Sequence, residues 1–187
     1  MDISKLRAAW KQEEARAQIR GWDFSPIRGR FEEEHDLPWS YEETVREYLR
    51  PEAMLLDCDT GGGEFLFSLR HPAGRTAASE GYPPNARLCG ERVLPGTEKP
   101  YPHMNLTEQR AAFEAAGFRI LRAEEAYRPI LFYNVGAFVW FARIIQWEFP
   151  DFSVDRCFQE LLAMQEELER TGEIRGTIHR YLIAAGK

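Results

Sequence analysis

The chain has 187 residues, 44% hydrophobic and 13% aromatic, enough to pack one domain or a domain with a small appendage. Its net charge of −6 and pI near 5.4 argue against a nucleic-acid-binding surface, which is normally basic. Cys58, Cys89 and Cys157 are widely spaced with no CxxC pair, which reads as reduced thiols and not as a disulfide frame or zinc site. The first residues lack the apolar core of a secretory signal, and no run of ~18 apolar residues occurs, so a cytoplasmic protein without a membrane span is expected.

Residues 3–20 scatter Leu6, Trp10 and Ile19 among Lys, Arg, Gln and Glu, the pattern of an amphipathic helix closed by Gly21. Trp22-Asp23-Phe24-Ser25-Pro26 reads as an aromatic-rich irregular segment, and Glu32–Glu34 as a solvated charge run. In Pro38-Trp39-Ser40-Tyr41-Glu42-Glu43, Ser40 is an N-cap and Glu43 the matching capping-box acid. The helix they open turns Val45, Tyr48 and Leu49 inward and ends before Pro51.

Met54-Leu-Leu-Asp-Cys-Asp-Thr-Gly-Gly-Gly-Glu64 is the stretch around which the rest is organised. Its apolar start predicts a short strand buried on both faces, as in a parallel sheet. Asp57 then sits at the carboxyl end, where open α/β sheets bind their ligands. Gly61, Gly62 and Gly63 let the backbone turn sharply and let a ligand approach it. Residues 64–70 read as the opening turns of a helix, and Arg75-Thr-Ala-Ala-Ser-Glu80 as the next strand, ending in an acid. Glu80 lies 23 positions after Asp57, close to the ~20-residue spacing at which an acid reaches ribose hydroxyls in nucleotide-binding βαβ units. An ordinary tight βα turn without a ligand is the bland alternative.

This arrangement resembles the class I S-adenosylmethionine-dependent methyltransferases, more narrowly a bacterial branch of small ones. Asp57, Gly61 and Gly63 match the family's first motif, although Asp59 stands where its first glycine is usual. The resemblance implies an α/β, Rossmann-like sheet and a cofactor, S-adenosylmethionine, held by Asp57, Asp59, Thr60, Gly61, Gly62, Gly63, Glu80, Gly81 and Tyr82. Tyr82 reads equally as a stacking residue and as a buried structural tyrosine. It further implies that residues 1–50 form an N-terminal helical extension or lid and residues 51–187 a truncated methyltransferase-like domain. Trp22 and Phe24 are then either lid residues or anchors of the extension.

After a helix over about 86–93, residues 94–105 are loop-like, with three prolines and a glycine. A complete methyltransferase domain carries its third, fourth and fifth strands here, roughly 60 to 90 residues at about 30 per strand and crossover helix. The sheet is therefore expected to be incomplete. Three outcomes follow: a homodimer in which two half-sheets complete each other, a rearranged sheet with the last strands moved against the first, or a chain lacking part of the natural sequence.

Asn105–Gly117 reads as a capped amphipathic helix, and Ala-Gly-Phe118 followed by Arg119–Glu125 resembles a late helix-to-strand step of the same family. Tyr127–Tyr133 extends that strand or forms another, and Asn134–Phe149 is mostly a buried helix. Ser153 is an N-cap candidate for a helix to Arg170 that stops at Thr171-Gly172, and Ile174–Ala185 a closing antiparallel strand. The aromatic group Phe132, Tyr133, Phe138, Trp140, Phe141 and Trp147 reads as core more readily than as a pocket wall.

His35, His71, His103 and His179 have no metal-ligand spacing, no GxSxG occurs, and the glycine run lacks the GKS/GKT ending of a phosphate-binding loop. The expected function is methyl transfer to a small-molecule acceptor, with no catalytic residue named, because a sulfonium methyl is already activated and needs chiefly an aligned acceptor. The alternative is a non-catalytic, truncated methyltransferase-like scaffold that binds cofactor or oligomerises.

Overall fold

A computed structural model of the chain describes residues 2–19, 21–58, 60, 62–79, 105–145, 149 and 151–186. They form an α/β protein with a three-stranded antiparallel sheet and a two-stranded parallel sheet. The chain divides into two compact units, Ile19–Asp23 with Pro38–His103, and Met1–Gln18 with Phe24–Leu37 and Met104–Lys187.

The larger unit contains α1 (Ile3–Arg16), β1 (Phe31–Glu33), α4 (Leu106–Ala115), β4 (Arg119–Phe132), α5 (Val135–Ile144), α6 (Phe158–Thr171) and β5 (Ile174–Gly186). Asp2 caps α1 by accepting from the Lys5 amide, and Trp10 is the helix's buried anchor, its ring edge-on to Phe158. The helix ends at Arg16, short of the expected residue 20, because Ala17 turns to an extended conformation with ψ 97°. Ile19 is buried, but outside the helix.

Asn105 caps α4 and Gly117, at φ +81°, ends it, letting Phe118 fold back against Phe113 with ring centroids 5.6 Å apart. Residues 119–132 form one continuous strand, which pairs antiparallel with β5 from Arg119↔Gly186 to Phe132↔Ile174 and bulges between Ile120 and Arg122. Strand order is β1-β4-β5. Pro129, which cannot donate to a ladder, sits immediately beyond the last β1 pair, Glu33↔Ile130.

Glu32 and Glu34 are exposed, as the charge run suggested, whereas Glu33 is half-buried. Phe31–Glu33 pairs with β4, Glu33 is ion-paired with Arg180 of β5, and Glu32 accepts from the Tyr133 hydroxyl at 2.8 Å. Glu33 meets a cation brought from distant sequence, a partner that composition alone does not show.

Asn134 caps α5, and Val135, Ala137, Val139 and Ala142 are fully buried. Gly136 faces α1: a Cβ there would lie 3.0 Å from Glu13 Cγ and 2.8 Å from the capping Asn134 oxygen. Phe24, Phe31, Phe132, Phe138, Trp140 and Phe141 form a connected ring cluster, which makes Phe24 an anchor of the core and the aromatic stripe plain core. Tyr133, 37% exposed, departs from that stripe, and Trp147 lies outside the described residues. Helix α6 begins at Phe158, not at Ser153, whose hydroxyl instead accepts from Arg156 in the preceding turn. Gly172, at φ +84°, stops it as expected.

The smaller unit contains α2 (Tyr41–Tyr48), β2 (Leu55–Cys58), α3 (Glu64–Ser68) and β3 (Thr76–Ser79). Ser40 caps α2 by accepting from Glu43 N at 3.2 Å, as the motif predicts. Thr44 is the buried residue of α2, whereas Tyr48 is 40% exposed and not inward as expected: an eight-residue helix docks a single turn, and its last residue projects past the contact. Strands β2 and β3 pair in parallel from Leu55↔Thr76 to Cys58↔Ser79, with α3 as the crossover. Leu66, Leu69, Ala78, Trp39 and Ile19 supply the buried apolar residues.

Two expectations fail here. The strand expected to be covered on both faces alternates, with Leu56 65% exposed, because two strands do not bury both faces as a wide parallel sheet does. The rearranged single sheet is not seen: among the described residues β4 pairs with β1 on one side and β5 on the other, in a sheet separate from β2 and β3. A 13-residue antiparallel ladder within one strand pair keeps their hydrogen bonds satisfied locally. The helix expected over 86–93 and the loop at 94–104 lie outside the described residues.

Candidate functional site

The β–α–β unit places its turn residues by a short series of local bonds. Thr60 N donates to Ser79 O at 3.0 Å, fixing the turn across the carboxyl ends of both strands. Thr60 Oγ1 donates to Asp57 Oδ2 at 2.7 Å, and Gly63 N donates to Thr60 O at 3.0 Å. Gly63, at φ +81°, then leads into α3 in the left-handed region that disfavours a side chain. Two side-chain bonds brace the strand entries: Arg75 Nη1 donates to Glu52 O at 2.6 Å, and a His71 ring nitrogen lies 3.0 Å from Ala53 O.

A cavity of about 620 Å³ opens at this end of β2. Asp57, Cys58 and Thr60 form its strand side, Glu64 and Phe65 the start of α3, Tyr41 the start of α2, and Trp22 and Asp23 the remaining wall. Tyr41 and Phe65 are in ring contact, with centroids 5.1 Å apart. The Glu64 carboxylate folds back over the glycine turn, since a Cβ on Gly62 would come within 2.3 Å of its Oε1 and one on Gly21 within 3.4 Å.

Burial pushes the Asp57 carboxyl above its usual value, and the Thr60 hydrogen bond pulls it back in part. Burial also raises the Tyr41 phenol, with the negative charges of Asp57 and Cys58 adding to the effect. Both groups therefore resist gaining negative charge, and a bound cation would relieve both.

Of the residues the sequence nominated, Asp57 and Thr60 line the cavity, and Gly62 and Gly63 are buried in the turn that frames it. Asp59, Gly61, Glu80, Gly81 and Tyr82 lie outside the described residues. Trp22, one of the two lid-or-anchor residues, lines the cavity. Asp23, Tyr41, Cys58, Glu64 and Phe65 were not nominated as site residues. Glu64 and Phe65 adjoin the glycines, so proximity was a usable signal, whereas Tyr41 had only its place in a helix-opening motif. Among the described residues no group of three or more His, Cys, Asp or Glu could hold a metal ion, and no helix is long and apolar enough to cross a membrane.

No protein-family model, curated protein or solved structure matches the chain.

Proposed function

We propose that the chain is an S-adenosylmethionine-dependent methyltransferase acting on a small-molecule acceptor. The observation that carries this reading is the cavity at the carboxyl end of β2, in a parallel β–α–β unit, with Asp57 and the glycine turn at its edge. Its volume falls within the range of small-molecule sites, about 300–1,000 Å³. A cationic sulfonium suits a wall of carboxylates and aromatic rings. Asp57, Asp59, Thr60, Gly61, Gly62 and Gly63 would form one edge of the cofactor site, and Glu80, Gly81 and Tyr82 the ribose and adenine edge. The cofactor supplies an activated methyl group; the protein's part is to hold an acceptor in line with it and to exclude water.

Calorimetric titration with S-adenosylmethionine tests the reading. Saturable binding to the native chain, lost in Asp57→Ala, is the expected result. A folded chain that produces no binding heat sinks it.

A second reading is favoured by one observation: β2 and β3 form a sheet of only two strands among the described residues, and β2 carries an exposed Leu56. On this reading the chain is a non-catalytic scaffold of methyltransferase type, which binds cofactor or completes its sheet in a homodimer. Binding without turnover across a panel of acceptors, together with a dimeric mass, would favour it.

A further inference from the structure

Two rings that line the cavity narrow the chemistry of the acceptor, resting on the methyltransferase reading above. We propose that Tyr41 and Phe65 form the acceptor's binding platform, and that the acceptor is a planar aromatic molecule bearing a hydroxyl or nitrogen nucleophile.

Neither ring serves the buried core of its unit. At α3, Leu66 and Leu69 stand three positions apart and are buried, while Phe65 lies off that stripe and stays half-buried. On α2 the buried residue is Thr44, and Tyr41, in the first turn, is 56% exposed. The two helices have a separate tie, since Arg46 Nη2 donates to Ser68 O at 3.3 Å. The ring pair, with centroids 5.1 Å apart and planes inclined at 39°, therefore adds a contact that core packing does not require. Both rings line the cavity, and incompletely buried aromatic surface at a concave site is available to a ligand.

The position of the pair suits an acceptor. Burial, and then the charges of Asp57 and Cys58, hold the Tyr41 phenol above its usual pKa, so its hydroxyl lies within electrostatic reach of the carboxyl end of β2. On the reading above, Asp57 and the glycine turn hold the cofactor there, and an acceptor lying along Tyr41 reaches the sulfonium methyl. The acceptor's lone pair forms the new bond to carbon, the carbon–sulfur electron pair stays on sulfur, and the acceptor's proton passes to water. An aromatic acceptor gains from buried area and from ring–ring geometry, whereas a saturated one gains from area alone.

The experiment is titration of the full chain, saturated with S-adenosylhomocysteine, with 2-naphthol and with its saturated counterpart decahydro-2-naphthol. The aromatic probe is expected to bind about fivefold tighter. Tyr41→Leu and Phe65→Leu, each checked for folding by circular dichroism, should each shrink that preference, and Tyr41→Phe should retain it. Equal binding of the two probes, binding of neither, or a preference that survives both leucine variants overturns the platform and leaves the methyltransferase reading standing. Failure of S-adenosylhomocysteine and S-adenosylmethionine to bind the folded native chain overturns both.

Discussion

Asp57 is the residue on which fold and chemistry meet. Because burial raises its pKa, the folded chain holds the proton more readily than the unfolded chain between the usual value of 3.8 and the raised one. Stability contributed by this group is therefore present below that window and lost as pH rises through it. Replacing it by Asn, which does not ionise, is expected to flatten the pH dependence of the urea midpoint across this range. A cation in the cavity reverses the balance by favouring the carboxylate, so binding within the window should release a proton, read by calorimetry in buffers of different ionisation enthalpy. Thr60 holds the same carboxylate through a 2.7 Å bond and is itself buried. Thr60→Val should cost about 1.5–3 kcal/mol of stability, the usual worth of a hydrogen bond to a charged group. It should also move the Asp57 titration further up, as followed by NMR.

At the scale of elements, the antiparallel sheet and α5 carry most of the packing. Trp140 is 1% exposed and touches Phe24 across the aromatic cluster, so Trp140→Ala should cost about 3–5 kcal/mol in urea unfolding. The tie between β1 and β5 is electrostatic. Glu33 faces Arg180, whose guanidinium is partly withdrawn from water and leaves Nη1 without a hydrogen-bond partner among the described residues. Burial lowers the Arg180 pKa from its usual value, a sign that its charge is poorly solvated. Glu33→Gln should therefore destabilise by about 1–3 kcal/mol. That is below the loss for a fully buried pair, because solvent still reaches the guanidinium. If the midpoint is unchanged, β1 is held by its backbone ladder, by Phe31 and by the Glu32–Tyr133 bond.

At the scale of the whole molecule, the parallel and antiparallel strands belong to different sheets in different units. The β2–β3 pair is short, and isolated two-stranded sheets are marginal in water without a covering partner. Light scattering is expected to give a mass near twice the 21.7 kDa of one chain, with Leu56→Asp shifting it to the monomer. A native chain of monomeric mass would remove the homodimer and, with it, the oligomerising form of the scaffold reading.

The capping residues Ser40 and Asn105, the stop signals Gly117 and Gly172, and the strand–glycine–helix–strand order around Asp57 were legible in the amino-acid sequence. The caps and stops depend on atoms within a few residues of one another, and the β–α–β unit on a separation of 21 residues, Leu55 to Thr76, so each is satisfied within one short stretch of chain. What only the tertiary structure decided was which strands share a sheet, that Glu33 meets Arg180, and that Trp22, Asp23 and Tyr41 reach the cavity beside Asp57. Those partners come from separate elements, from 16 residues apart for Tyr41 and Asp57 to 147 for Glu33 and Arg180, and hydrophobic periodicity records that a face is buried without recording against what.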